Sequence, residues 1–103
     1  MKHTISHDVS MELSRKAARG AFAAYQARFA EYHPTVTWKD DDHADIGFKA
    51  KGVSLKGSVV LREHVIELDL DVPFLLRIFQ SRAIEIIESE VRTWLEKARN
   101  GQL

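Results

Sequence analysis

The chain contains no cysteine, only two prolines and five glycines, and no net charge. Without thiols it has no disulfides, no thiolate metal ligands and no cysteine nucleophile. Fifteen Lys and Arg side chains balance fifteen Asp and Glu. A general nucleic-acid binder usually carries a strongly basic domain, and a pI near 7.0 argues against that class. No apolar run exceeds five residues, well short of the ~18–20 needed to span a bilayer. The opening Met1-Lys2-His3-Thr4 lacks the apolar stretch of a signal peptide. The expected location is therefore the cytoplasm, with no transmembrane segment. Repeats, low-complexity segments and Pro/Gly/Ser-rich linkers are also missing.

What remains is 103 residues, 45% hydrophobic and 29% charged, the composition of an ordinary globular domain. That length fits one domain, residues 1–103. Residues 2–7 alternate as a short strand. Ser10 is placed to cap a helix, with Glu12 near its positive end. Met11, Ala18, Phe22, Tyr25, Phe29 and Tyr32 then recur at helical spacing. Leu13, Ala17, Ala21 and Ala24 lie beside this stripe, small enough for a neighbouring element to approach closely. The spacing predicts a helix over 11–32, ended by His33-Pro34, because the residue before proline leaves the α region.

Four strands follow. Val36 and Trp38 alternate in the first, Asp40-Asp41-Asp42-His43 turns, and Ile46 and Phe48 face inward in the second. Lys51-Gly52 closes a hairpin, since glycine accepts the positive φ that such turns need. Val53, Leu55, Val59 and Leu61 share a face of the third strand, and Ile66, Leu68, Leu70 and Val72 of the fourth. Matching the inward sets places Phe48 opposite Leu55, Ile46 opposite Gly57, Val59 opposite Leu68 and Leu55 opposite Val72. Lys56 then faces Asp71 across the outer side. Pro73 opens a last helix where its missing N–H costs nothing. That helix runs to about Arg99, with Gly101 beyond it, and turns Ala83, Ile87, Val91, Trp94 and Ala98 inward. The expected fold is α+β: an antiparallel sheet with two helices on one face, in the order β-α-β-β-β-β-α.

Reactive constellations are scarce. His3 and His7 are four apart, but on a strand that separates them by about 13 Å, and no H-E-x-x-H pattern exists. His7 reads as a capping or packing group near the helix start and His3 as exposed on the strand, neither as a ligand. Asp40 to Asp45 forms an acidic cluster that could attract Ca²⁺. It lacks the glycine and distal glutamate of an EF-hand, and reads as a solvated hairpin tip. Glu67, Asp69 and Asp71 alternate with apolar residues. They read as water-facing, and as a guard against edge pairing if the strand is an edge. Arg15, Lys16, Arg19 and Arg28 could touch phosphate, but Glu12 and Glu31 interrupt them, as on a solvated helix face. No nucleophile elbow, P-loop or dinucleotide fingerprint is present. No catalytic residue, metal or cofactor is expected, and the chain reads as a non-enzyme.

Phe74-Leu75-Leu76-Arg77-Ile78-Phe79 holds five apolar side chains that one helix face cannot bury together. With Leu76 and Phe79 on the sheet, Phe74, Leu75 or Ile78 is left near the surface as an interaction patch. Alternatively, the first helix or a broken helix start covers them.

Gly52-Val53, Lys56-Gly57, Val65-Ile66-Glu67-Leu68, the Pro73 to Phe79 run and Ile84-Glu85 with Ile87 together resemble the small bacterial polyhydroxyalkanoic acid system proteins. His7-Asp8-Val9 before an Ala/Arg-rich helix, Arg15 to Ala24, fits the same family. The likeness covers nearly the whole chain, and departs where Ile78 replaces a frequent proline. It implies association with polyhydroxyalkanoate granules. A granule surface, a granule-associated protein or a second copy of the chain is then the expected partner. It implies no catalytic residue. Two other classes stay open. A helix-gripped sheet of the START-like kind would carry a hydrophobic ligand in a cavity lined by Tyr25, Phe29, Trp38 and Phe48. Paired helices on a sheet also occur in ribosome- or RNA-associated factors.

Overall fold

The computed structural model describes residues 2–50, 52–71, 77 and 80–103. The order is β1 Lys2–Ser6, α1 Met11–Arg28, a 3-10 turn Ala30–Tyr32, β2 Thr35–Trp38, β3 His43–Ala50, β4 Val53–Arg62, β5 Val65–Asp71 and α2 Gln80–Arg99. The five strands form one antiparallel sheet in the spatial order β1-β5-β4-β3-β2. β2 to β5 are consecutive hairpins, and α1 carries the chain from one edge of the sheet to the other. This is the expected α+β architecture.

Register follows the apolar alternation, because a one-residue slip would turn every inward side chain to water. Phe48 pairs with Leu55 and Ile46 with Gly57. Val59 pairs with Leu68, and Lys56 with Asp71. The Leu55–Val72 match lies outside the described residues. Gly57 is required where it stands: a Cβ there would fall 2.7 Å from Leu70 Cδ2 and 2.8 Å from the Asp69 carbonyl oxygen. β5 is not an edge strand, since β1 pairs with it from Lys2↔Asp69 to Ser6↔Val65. Its acidic row therefore faces water among cations. Arg62 donates to Glu67 at 2.7 Å, while Lys2 and Lys56 stand opposite Asp69 and Asp71.

Both helices lie on the inner face. Ser10 caps α1, its hydroxyl accepting the Leu13 N–H at 3.2 Å. The deeply buried face of α1 is made of small side chains, Ser14, Ala17, Ala18 and Ala21, with Phe22 beside them. Tyr25 is half-buried, and Tyr32 is 43% exposed, not part of the inward stripe. Small side chains win this face because α2 packs close against it. The helix ends at Arg28, four residues earlier than its apolar spacing suggests. Pro34 bars helix at His33, which sits at φ 50°, and the last turn tightens to 3-10 before it. From α2, Ile84, Ile87, Val91, Leu95 and Ala98 enter the core with Ile5, Val59, Leu61, Ile66, Leu68 and Leu70. α2 closes with Gly101 at φ 69°: its N–H meets Ala98 O, and the Gln102 N–H meets Lys97 O. Glycine meets the left-handed position without a Cβ penalty.

Candidate functional site

At one end of the sheet the β2–β3 tip, the β1–α1 junction, the β4–β5 turn and the last turn of α2 come together. Arg15 grips Asp42 with two nitrogens, at 2.7 and 3.1 Å. Arg19 lies over the Trp38 ring, 4.3 Å from its centroid, and donates to the Asp41 carbonyl at 3.4 Å. Asp40 accepts the Asp42 N–H at 2.8 Å and pairs with His43 Nδ1 at 2.9 Å. The Arg15 hydrogen bond holds Asp42 below the usual carboxylate range. The Asp42 N–H and then His43 do the same for Asp40. Arg99 donates to Asp8 at 2.7 Å and to Glu96 at 2.6 Å. The acidic tip thus turns its oxygens to cations of its own chain. Among the described residues no three His, Asp or Glu side chains converge as a metal-binding group.

His7 sits where β1 turns into α1. Val9 N–H donates to its Nδ1 at 3.3 Å, so the ring proton is on Nε2, which reaches Ser14 Oγ at 3.4 Å. The ring is therefore neutral and donates to the serine. A base that would activate Ser14 needs the opposite tautomer, and Ser14 is fully buried. Burial first, then the charge of His64, pushes the His7 pKa down, and the His64 ring lies edge-on at 6.2 Å. His3 pairs with Glu88, whose other oxygen accepts from Arg92 Nε at 2.6 Å. Burial works to raise Glu88, but the hydrogen bonds from Arg92 and His3 outweigh it and leave its pKa lowered.

The contact between the helices carries pairings that sequence reading did not give. Trp94 lies across Gly20, where any Cβ would collide with the indole ring. Glu90, nearly buried, accepts from Arg28 at 2.6 Å and from Trp94 Nε1 at 3.2 Å. The available signal was Gly20 itself, since glycine inside a helix costs about 1 kcal/mol unless close packing needs it. Every buried side-chain polar atom among the described residues has a hydrogen-bond partner.

The opposite end is built differently. It holds the β3–β4 tip, the 3-10 turn and the place where the chain leaves β5 at Asp71 for α2 at Gln80. Phe74, Leu75 and Ile78 belong to that link and lie outside the described residues, as does the Pro73 start expected for the last helix. Of the four aromatic residues expected to line a cavity, Tyr25 and Trp38 pack against the core. The Tyr25 and Phe29 rings lie 5.1 Å apart, tilted by 50°, and Trp38 meets Phe22 edge-on at 6.5 Å. Burial, then Tyr32, raises the Tyr25 pKa. Only Phe48 of the four borders the open depression of about 520 Å³ on β2, β3 and β4. Thr35, Thr37, Asp45, Lys49, Ser54 and Lys56 rim this depression on the outer face, with Gly47 on its floor. Two of the three large hydrophobic residues most exposed among those described stand at this end, Tyr32 at 43% and Val53 at 37%; the third is Leu103.

The structure is thus a small α+β domain with one helix-covered sheet face and one open polar face. The chain belongs to the family described as "Putative polyhydroxyalkanoic acid system protein", whose model matches residues 2–95. No curated protein and no solved structure matches it. Among the described residues, no helix is long and apolar enough to cross a membrane.

Proposed function

We propose that the chain is a non-enzymatic accessory protein of the polyhydroxyalkanoate system. It acts by surface contact with a storage granule or a granule-associated protein, through Phe74, Leu75 and Ile78. Family membership across residues 2–95 is the observation that carries this reading. The neutral His7 tautomer and the buried Ser14 support a role without bond chemistry, because the pair offers no activated nucleophile. The run of five apolar side chains from Phe74 to Phe79 supports contact through this segment, since contiguous apolar groups supply interaction surfaces.

The test is granule sedimentation with Leu75→Asp and Ile78→Asp, alongside far-UV circular dichroism and size measurement. Folded variants that no longer sediment with granules, or that change oligomer size, support the reading. Folded variants that sediment and assemble like the parent would falsify it.

A further inference from the structure

We propose that His7 and His64 form a proton-operated latch, which holds the end of β1 and the start of α1 against the β4–β5 turn. Acid opens this junction and leaves the other end of β1 in place. The device needs neither a granule nor a partner protein.

Backbone and side chains of the same two residues meet here. The His7 N–H donates to the His64 carbonyl at 3.0 Å and closes the β1–β5 ladder. The two rings stand edge-on at 6.2 Å. Nδ1 of His7 accepts the Val9 N–H at 3.3 Å, one residue before the Ser10 cap of α1, and Val9 belongs to the core. A proton on Nδ1 sets a donor against a donor and leaves that N–H without its acceptor. The new charge also lies at the positive end of α1. Arg92 of α2 and a protonated His64 of the turn repel it, and Ser14 of α1 carries no charge to offset it. Asp8 alone attracts it, and Arg99 already holds Asp8 at 2.7 Å. The latch therefore stays closed at neutral pH and opens as pH falls below about 6.5.

His3, four residues earlier on the same strand, answers acid in the opposite sense. It pairs with Glu88, which also accepts from Arg92 Nε at 2.6 Å. A proton on His3 adds attraction to a carboxylate and removes no acceptor that the contact uses. Between the two histidines Ile5 is fully buried. Protonation thus pries at one end of β1 and tightens the other, so the strand peels from His7 and stops short of His3.

Native-state amide exchange of the full chain tests this, read as protection factors at pH 7.5 and 5.5 over a series of low urea concentrations. Protection at His7 and Val9 should fall several-fold on acidification, the scale of a charge placed wrongly against a helix end. Urea should not speed that opening, because a local event exposes little surface. Leu68, across from His3, should exchange only through the urea-sensitive unfolding of the whole domain. His7→Asn keeps an acceptor for the Val9 N–H but cannot take up a proton, and should abolish the local response. His64→Asn suits the left-handed φ of 62° and removes the second charge, so it should reduce the response. Protection at His7 and Val9 that ignores pH, or that follows urea as Leu68 does, overturns the latch. So does a response that survives intact in either variant.

Discussion

At the β2–β3 tip, Asp42 is gripped by two nitrogens of Arg15, and Asp40 by His43 and the Asp42 N–H. At the other end of the same sheet, on the β3–β4 hairpin, Lys49 and Lys56 are exposed and make no ion pair among the described residues, although Lys56 stands across from Asp71. Both are hairpin connections, and both are polar. They differ in what lies behind them. The first tip faces α1, whose cations reach it. The second rises past the polar outer face, where β2 brings only Thr35 and Thr37. One end of the molecule thus uses its charge to hold its own elements together, and the other presents its charge outward.

This contrast can be broken from the middle. Gly20→Val drives two methyl groups into Trp94 and should cost about 1–3 kcal/mol in urea unfolding, as overpacked contacts do. It should also loosen the Arg28–Glu90 contact, because both depend on how closely the helices approach. A Gly20→Val/Trp94→Ala double variant should recover part of the loss, so the two effects should not add.

A smaller effect sharpens the laced end. His7 is held neutral, so its folded-state pKa lies below its unfolded value of about 6.5. Its stabilising contribution is complete above that value. It is lost as pH falls from there through the folded pKa, because the unfolded chain binds the proton first. Stability measured at pH 7.5 and 5.5 should therefore fall, and His7→Gln should flatten the fall. An unchanged pH dependence in that variant would remove His7 from the account.

The smallest effect compares the two tips directly. Arg15→Ala should speed amide exchange at Asp42 and lower the melting temperature slightly. Lys56→Ala should change unfolding stability by no more than about 0.5 kcal/mol, as surface substitutions away from specific contacts do. Equal losses in the two variants would erase the distinction between a gripped tip and an open one.

Much of the fold was legible because strands and helix caps are written locally. The alternation of Ile66, Leu68 and Leu70 with Glu67, Asp69 and Asp71 named both the strand and its faces, and Lys56 does stand across from Asp71. Ser10 and Gly101 marked helix ends by their own conformational chemistry. Apolar spacing misled at Tyr32, because the chain leaves the α-helix after Arg28 and tightens to a 3-10 turn over Ala30–Tyr32, which takes Tyr32 off the helical face. The basic face of α1 read as solvated, yet Arg15 and Arg19 hold the acidic tip. Nothing between residues 15 and 42 in the chain signals that they meet. Phe74, Leu75 and Ile78 of the expected interaction patch belong to the link between Asp71 and Gln80, outside the described residues.

Periodicity and turn residues were enough to specify a five-stranded antiparallel sheet under two helices, since each depends on neighbours a few positions apart. Which charges would be neutralised was a matter of assembly. Arg28 meets Glu90, and Arg99 meets Asp8, across separations of 62 and 91 residues. Coulomb attraction acts through space and ignores chain distance. Packing α2 against Gly20 therefore settled which side chains are held within the molecule and which are left to meet a partner.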